Sequence, residues 1–279
     1  MPGEHMPGTA QPSDIKGDDP VTRHRYTFGD SDLAASRLAL LADVFAESSR
    51  RFIRAAASHP IRTAVDLGCG PGFTTHLVAE TSHSSRTIGL DNSVSFLELA
   101  RESATENVRF QRHDVRTVPF PEAPADLIYC RFLLTHLSEP VESLNLWTTQ
   151  LTEGGVLLID EVEQVETSHP VLLRYQAAVN ALLSGEGQRL EIGSVLDAAD
   201  MPAGVHRMSS HVVVVAPAPT EVGQMFHANL RSWRSDPRLI EKFGNAYLND
   251  LERDLAAVVR GEIAASARWH IRQMSYERR

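Results

Sequence analysis

The sequence predicts an α/β fold, with a mostly parallel sheet at its centre and helices on both faces. Short apolar segments alternate with segments of helical periodicity from about residue 60 onward, which is the order that builds wound parallel sheets. The first apolar segment ends in a glycine-rich turn, AVDLGCGPG at 64–72, before a helical pattern begins. A strand, a turn and a helix N-terminus in this order predict a cradle for a polar ligand.

Composition and charge narrow the classes of protein. The chain has 279 residues, of which 42% are hydrophobic and 23% charged, as expected for a globular domain with additions. The net charge of −9 and the lack of a dense Lys/Arg run disfavour nucleic-acid binding, which depends on neutralising phosphates. Cys69 and Cys130 are too few for a disulfide framework and lack zinc-ligand spacing. Because no signal peptide, anchor or long apolar run is present, we expect a cytoplasmic protein without a membrane partner.

The N-terminal part divides into two segments. Residues 1–22 contain hardly any large apolar side chain and are expected to form a disordered arm. Residues 23–58 contain a helix expected over Leu33–Ser58, and its apolar residues share one face: Leu38, Leu41, Phe45 and Phe52. The main domain is expected to cover residues 59–279.

Strands and helices then alternate up to about residue 112. The expected order is strand Arg62–Leu67, helix Thr74–Thr81, strand Arg86–Leu90, helix Val94–Ala104 and strand Val108–Arg112. Asp91 ends the second strand, where an acid can accept two hydrogen bonds from a ribose diol. Its alternative role is to cap the next helix, although Asn92 and Ser93 could also do so.

The second half contains the remaining strands and two helical insertions. The strands are expected at Asp126–Cys130, Gly155–Asp160, Val205–Ala216 and Ala267–Arg278, with a helix at Pro140–Leu151. The strand expected at Gly155–Asp160 is almost wholly apolar, as a central parallel strand should be. The insertions are expected at about 167–200 and 220–261.

The glycine-rich turn resembles the first motif of class I S-adenosylmethionine-dependent methyltransferases of the bacterial small-molecule type. Asp66, Gly68, Gly70 and Gly72 match the pattern hh(D/E)hGxGxG at every position. In the dinucleotide fingerprint G-x-G-x-x-G the third glycine comes one residue later. The resemblance covers residues 60–216 well and the rest of the chain only loosely.

The resemblance implies a Rossmann-like seven-stranded sheet, with five parallel strands followed by a C-terminal hairpin. Roughly 40–50 residues separate the two hairpin candidates, which departs from the family pattern. We expect the insertions and the N-terminal helix to form a helical lid. A lid implies a small, enclosed substrate.

The resemblance also implies a binding site for S-adenosylmethionine, with S-adenosylhomocysteine as the product. The residues assigned to it are Asp66, Gly68, Cys69, Gly70, Gly72, Asp91, Asn92, Asp114, Val115, Arg131, Tyr26 and Arg37. Asp114 and Val115 match the positions that meet the adenine ring. Arg131 would contact the methionine carboxylate or face the substrate. Tyr26 and Arg37 would touch the methionine end or the substrate; the alternative is that Tyr26 fastens its loop and Arg37 is solvated.

Four side chains are candidates for a general base. Methyl transfer is an in-line displacement that depends on positioning and exclusion of water, so a base is needed only if the acceptor must lose a proton. The candidates are Glu161, Glu163, His136 and His206. The alternatives are a solvated acidic strand end for the two glutamates and a cap or core-edge role for His136. No metal is expected, because a cation, Arg131, stands where a metal-dependent relative would place an acid.

These patterns predict methyl transfer to an O, N or C atom of a small organic acceptor, such as an aromatic or indolic natural-product intermediate. One alternative is an NAD(P)-dependent oxidoreductase, which the glycine spacing disfavours. Another is a protein that binds S-adenosylmethionine without transferring its methyl group. A nucleic-acid methyltransferase is disfavoured because Tyr129-Cys130-Arg131-Phe132 replaces the signature of many amino-methylating enzymes. Assembly into a homo-oligomer is left open.

Overall fold

A computed structural model describes residues 32–56 and 59–279, so that the predicted arm at 1–22 and Tyr26 lie outside the described residues. The seven strands are β1 Thr63–Leu67, β2 Arg86–Asp91, β3 Val108–Arg112, β4 Ala125–Arg131, β5 Leu151–Glu166, β6 Val205–Val215 and β7 Arg268–Arg278. They form one sheet in the order β3-β2-β1-β4-β5-β7-β6. Strands β1 to β5 are parallel and β7 is antiparallel to both β5 and β6. The predicted fold class is confirmed.

The helices of the described residues follow the predicted order. They are α1 Asp32–Ala56, α2 Phe73–Ser82, α3 Val94–Glu102, α4 Pro140–Thr148, α5 Pro170–Ser184, α6 Gly193–Asp197, α7 Pro219–Trp233 and α8 Pro237–Val259, with a 3-10 helix at Leu134–His136. Proline stands in the first turn of α4, α5, α7 and α8. Its missing N–H has no intrahelical partner to lose at that position, which is why these helices begin there. No helix within the described ranges is long and apolar enough to cross a membrane.

Strand β5 is much longer than predicted, with 16 residues. It pairs with β4 as far as Asp160 and continues beside β7 until Glu166 lies opposite Arg268. The continuation carries charged residues because their partners come from β7, as in the pair between Glu163 and Arg272. These partners lie more than a hundred positions away in the chain. The local sequence pattern of residues 161–166 therefore does not indicate a strand.

The part of β5 beyond Asp160 packs against a second hydrophobic core. One core lies on the parallel sheet and includes Leu157 and Ile159 of β5. The other lies between the extension and helices α5, α7 and α8, and includes Val162 and Val165 of the same strand. Helix α1 contacts both regions of the molecule, since Phe52 packs near the sheet and Phe45 packs in the second core. The site described below lies where α1 crosses the carboxyl end of the sheet.

Candidate functional site

The turn between β1 and α2 requires glycine at several positions. Gly68, Gly70 and Gly72 have φ values of 67°, 51° and 92°, a region that other residues rarely adopt. A Cβ at Gly68 would lie 2.8 Å from the Leu133 side chain, and one at Gly72 would lie 2.7 Å from the Phe110 ring. The glycines therefore serve both the turn and the close packing around it.

The backbone N–H groups of this turn are used inside the protein. Those of Gly68 and Cys69 donate to the carbonyl of Leu90 at 2.8 and 3.1 Å. That of Gly70 donates to Oδ2 of Asp91 at 2.8 Å. A pyrophosphate group is normally bound by N–H groups of such a turn. These three donors are therefore not available to a pyrophosphate group.

Asp66 fixes the start of α2 from within the protein. Its side chain is buried, and Oδ2 accepts hydrogen bonds from the hydroxyls of Thr74 and Thr75 at 2.6 and 2.7 Å. Burial raises the pKa of this carboxyl to about 6, although both threonines act in the opposite direction. Asp66 therefore holds the first turn of α2 against the end of β1.

Asp91 joins β2 to the glycine turn at the open edge of the sheet. Its Oδ1 accepts the N–H of Ser93 at 2.8 Å, while the hydroxyl of Ser93 accepts the N–H of Phe96 and caps α3. The alternative role of Asp91 as the helix cap is therefore filled by Ser93. Asn92 is exposed and accepts a hydrogen bond from Arg112 at 3.4 Å.

The two residues assigned to the adenine end are each bound by another side chain. Arg116 donates to both carboxylate oxygens of Asp114, which lowers the pKa of Asp114. Val115 is buried, and its carbonyl accepts the indole N–H of Trp147 at 2.7 Å. The backbone at this position is consequently fixed from the core side.

Helix α1 lies over the glycine turn, and the region between them at the carboxyl edge of the sheet is called the crevice. A Cβ at Gly70 would lie 3.5 Å from Leu38, and Arg37 is buried with 4% of its surface exposed. Burial and the nearby Arg37 guanidinium lower the pKa of His136 to about 3. Arg37 and His136 therefore lie close together, with the histidine neutral at physiological pH. The loop after α5 closes the other side, where Gln188 donates to the carbonyl of His136 at 2.9 Å.

A buried polar cluster fastens α1 to the strand ends. The hydroxyl of Ser49 donates to Oδ2 of Asp160 at 2.9 Å, and the hydroxyl of Tyr129 reaches the same oxygen at 2.9 Å. Arg131 donates to the Ser49 oxygen at 3.1 Å. Burial raises the pKa of Asp160, and the Arg131 charge opposes the shift. Arg131 thus lies beneath α1, close to Asp160.

Glu161 is the most enclosed of the four candidate bases. It is completely buried, and its Oε1 accepts the backbone N–H groups of Leu133 and Leu134, each at 2.7 Å. Burial raises its pKa to about 8 against the effect of these two donors. Its Oε2 is buried without a hydrogen-bond partner among the described residues.

The structure does not bring the other two candidate bases into the crevice. Glu163 forms a bidentate ion pair with Arg272, whose Nε and Nη2 atoms lie 3.1 and 3.0 Å from the two carboxylate oxygens. His206 is exposed and lies opposite Glu277 on β7, and Glu277 in turn lies opposite Val156 near the start of β5. His206 is therefore towards the opposite end of the sheet from the site. Within the described ranges, no group of three or more His, Cys, Asp or Glu side chains is arranged to hold a metal ion.

Comparison with known proteins identifies a family for about half of the chain. A family model described as a methyltransferase domain matches residues 59–200. A trans-aconitate 2-methyltransferase from Azoarcus sp. (strain BH72) is 35% identical over 124 residues, which cover 44% of this chain and 48% of that protein. The chain thus spans about half the length of the curated relatives it matches.

Solved structures show the same fold. A crystal structure from Bacillus halodurans C-125, with a provisional methyltransferase assignment, aligns with a TM-score of 0.52 at 15% identity, covering 81% of this chain and 96% of that one. Coclaurine N-methyltransferase, bound to N-methylheliamine and S-adenosylhomocysteine, aligns with a TM-score of 0.50 at 15% identity, covering 87% and 72%. At this identity the similarity concerns the fold.

Proposed function

Because the chain belongs to the methyltransferase domain family, we propose that it transfers the methyl group of S-adenosylmethionine to a small organic acceptor. The observation that carries this proposal is the turn whose N–H groups are engaged internally, beside the carboxylate of Asp91. This pair fits a nucleoside with a free ribose diol and no pyrophosphate. The same observation counts against the alternative of an NAD(P)-dependent oxidoreductase.

The crevice offers distinct surroundings to the parts of the cofactor. Asp91 is proposed to hold the ribose, because each of its oxygens can accept more than one hydrogen bond. Asn92 and the segment Asp114–Val115 would border the adenine ring. Arg116 would hold the carboxylate of Asp114 in place. Cys69 and the glycines would allow close approach of the backbone. Arg37 and Arg131 are the cations proposed to face the amino-acid end.

S-adenosylmethionine supplies an activated methyl group on a positively charged sulfur. The residues of this chain then have to orient the acceptor and exclude water. Helix α1, with Leu38 above the glycine turn, and the loop bearing Gln188 are proposed to provide that enclosure. Glu163 and His206 have no part in this proposal, because neither side chain lies in the crevice.

We propose an organic acid as the acceptor. Arg37 and Arg131 are both buried here, and His136 beside Arg37 is neutral above about pH 3. The amino-acid end of the cofactor carries a single carboxylate, so an anion on the acceptor is proposed to meet the remaining positive charge. A carboxylate already carries the lone pair that accepts a methyl group and needs no general base. The trans-aconitate 2-methyltransferase relative acts, by its name, on a compound of this class.

Binding followed by turnover tests the proposal. Calorimetric titration should show saturable binding of S-adenosylhomocysteine and none of NAD⁺. Incubation with S-adenosylmethionine and a panel of acceptors, scored by mass gain, should give methylated products from small carboxylic acids such as trans-aconitate. Product only from phenols, amines or indoles would exclude the organic-acid acceptor. Binding without product from any acceptor would favour a protein that has lost transferase activity.

A further inference from the structure

We infer that Glu161 is a positioning residue: its carboxyl group fixes the turn Phe132–Leu134 against the glycine turn and so maintains affinity for the cofactor. This differs from the role of general base that its place in the sequence suggests. The inference rests on the proposed function for the choice of S-adenosylhomocysteine as the probe.

The first step is the unusual backbone that Glu161 holds. Phe132 has a φ of 55°, which is a left-handed conformation for a residue that is not glycine. Such a conformation persists only where the surroundings impose it. The N–H of Phe132 donates to the carbonyl of Asp160 at 3.1 Å, and the next two N–H groups both donate to Oε1 of Glu161. Three consecutive N–H groups are thus bound by two consecutive residues of β5.

The second step is the contact between this turn and the cofactor loop. The side chain of Leu133 lies so close to Gly68 that a Cβ there would be 2.8 Å from its Cδ1. Leu133 therefore presses against the first glycine of the turn, and its position depends on the N–H bond to Glu161. If that bond were lost, the left-handed turn could relax and Leu133 would move relative to Gly68.

The third step concerns the chemistry of the carboxyl group. Glu161 is completely buried, and its Oε2 has no partner among the described residues. A buried carboxyl with one unpartnered oxygen is more stable as the neutral acid. The neutral acid keeps Oε1 as an acceptor for both N–H groups. A glutamine side chain has the same shape and the same acceptor, whereas alanine has neither.

The experiment compares the affinity of two variants for S-adenosylhomocysteine by calorimetry. Glu161→Gln is expected to bind within about twofold of the wild type, and Glu161→Ala about tenfold or more weakly, since two backbone donors lose their partner. Asp126 provides the matched control, because a single carboxylate oxygen likewise accepts two backbone N–H groups, those of Arg62 and Thr63, both at 2.9 Å, at the other end of the sheet. Asp126→Ala should leave the affinity unchanged.

Two results would overturn the inference. One is equal affinity of Glu161→Ala and the wild type. The other is normal affinity of Glu161→Gln combined with a kcat that is strongly reduced but measurable and lacks the acidic limb of the wild-type pH profile, which is the signature of a base. Hydrogen exchange at the Leu133 and Leu134 amides provides a readout that needs no ligand: exchange should accelerate in Glu161→Ala and stay slow in Glu161→Gln. If the wild type itself fails to bind the probe, the proposed function falls, while exchange still decides the role of Glu161.

Discussion

The backbone N–H of Gly70 donates to the carboxylate of Asp91 at 2.8 Å, which joins the glycine turn after β1 to the end of β2. The two segments meet at the carboxyl edge of the sheet, where ligands bind in open α/β folds. Asp91 therefore acts on the turn and on any bound nucleoside at once. Replacing Asp91 should therefore weaken nucleoside binding in two ways, directly and through the glycine turn.

Asp91→Ala is expected to weaken binding of S-adenosylhomocysteine by roughly 1–3 kcal/mol, because a charged acceptor for the ribose is lost. Calorimetric titration measures the change. Asp126→Ala is a matched control, since that carboxylate accepts the N–H groups of Arg62 and Thr63, both at 2.9 Å, at the other end of the sheet. The control should lower stability and spare affinity. Unchanged affinity in Asp91→Ala would remove this residue from the site.

Gly72→Ala should be more destabilising than Gly154→Ala, although both glycines have positive φ values of 92° and 74°. Each substitution forces alanine into the left-handed region at a cost of about 1–2 kcal/mol. Only at Gly72 does the new Cβ meet a side chain, the Phe110 ring at 2.7 Å, whereas nothing lies within 4 Å at Gly154. Overpacking should add about 1–3 kcal/mol. Urea unfolding gives both values, and equal losses would contradict this account of the turn.

Arg37→Ala is expected to weaken binding of S-adenosylhomocysteine about tenfold and to leave binding of methylthioadenosine nearly unchanged. The second compound lacks the amino-acid end that Arg37 is proposed to face. Asp91→Ala should weaken both compounds alike, because both carry the ribose. A parallel loss of the two affinities in Arg37→Ala would instead indicate a role in folding, and no loss of either affinity would indicate that Arg37 does not face the amino-acid end.

Glu161 should make stability depend on pH near neutrality. Its pKa is raised in the folded state from 4.5 to about 8, so the folded protein retains a proton that the unfolded chain releases. This contribution to stability is complete below about pH 4.5 and is lost as the pH rises through 8. Between pH 6.5 and 8 the free energy of unfolding of the wild type should fall by about 1–2 kcal/mol relative to that of Glu161→Gln. Parallel pH profiles of the two proteins would refute the raised pKa.

The sequence was sufficient for the order of elements because the parallel strands β1, β2 and β4 are buried on both faces and contain short apolar runs. The edge strand β3 has a weaker signal, since three of its five residues are exposed. Strand β3 was predicted with the bounds it has, Val108–Arg112. The sequence did not predict the extension of β5 beyond Asp160, since the residues that pair with this segment lie on β7. The position of His206 was missed for a related reason: which end of an edge strand faces the crevice depends on register, and the register is set by long-range pairing.

In the site, local pattern identified the glycine turn and Asp91 but not their supports. Ser49 reaches Asp160 across 111 positions of the chain, and nothing near either residue marks that contact. Arg116 could have been noticed, because it follows Asp114 by two residues and pairs with it locally. Glu161 was predicted only as one of four candidate bases, and its two backbone donors follow a left-handed Phe132 that no sequence pattern indicates.

The length of β5 has a consequence for how the molecule comes apart. The strand contributes Ile159 to one core and Val165 to the other. Unfolding of either core would therefore remove part of the strand that the other core packs against. Such an arrangement makes the C-terminal helices part of a single cooperative unit rather than a detachable module. Heating should therefore give one calorimetric transition, and a shortened chain that ends before α7 should fail to form the parallel sheet in its native, cooperative state.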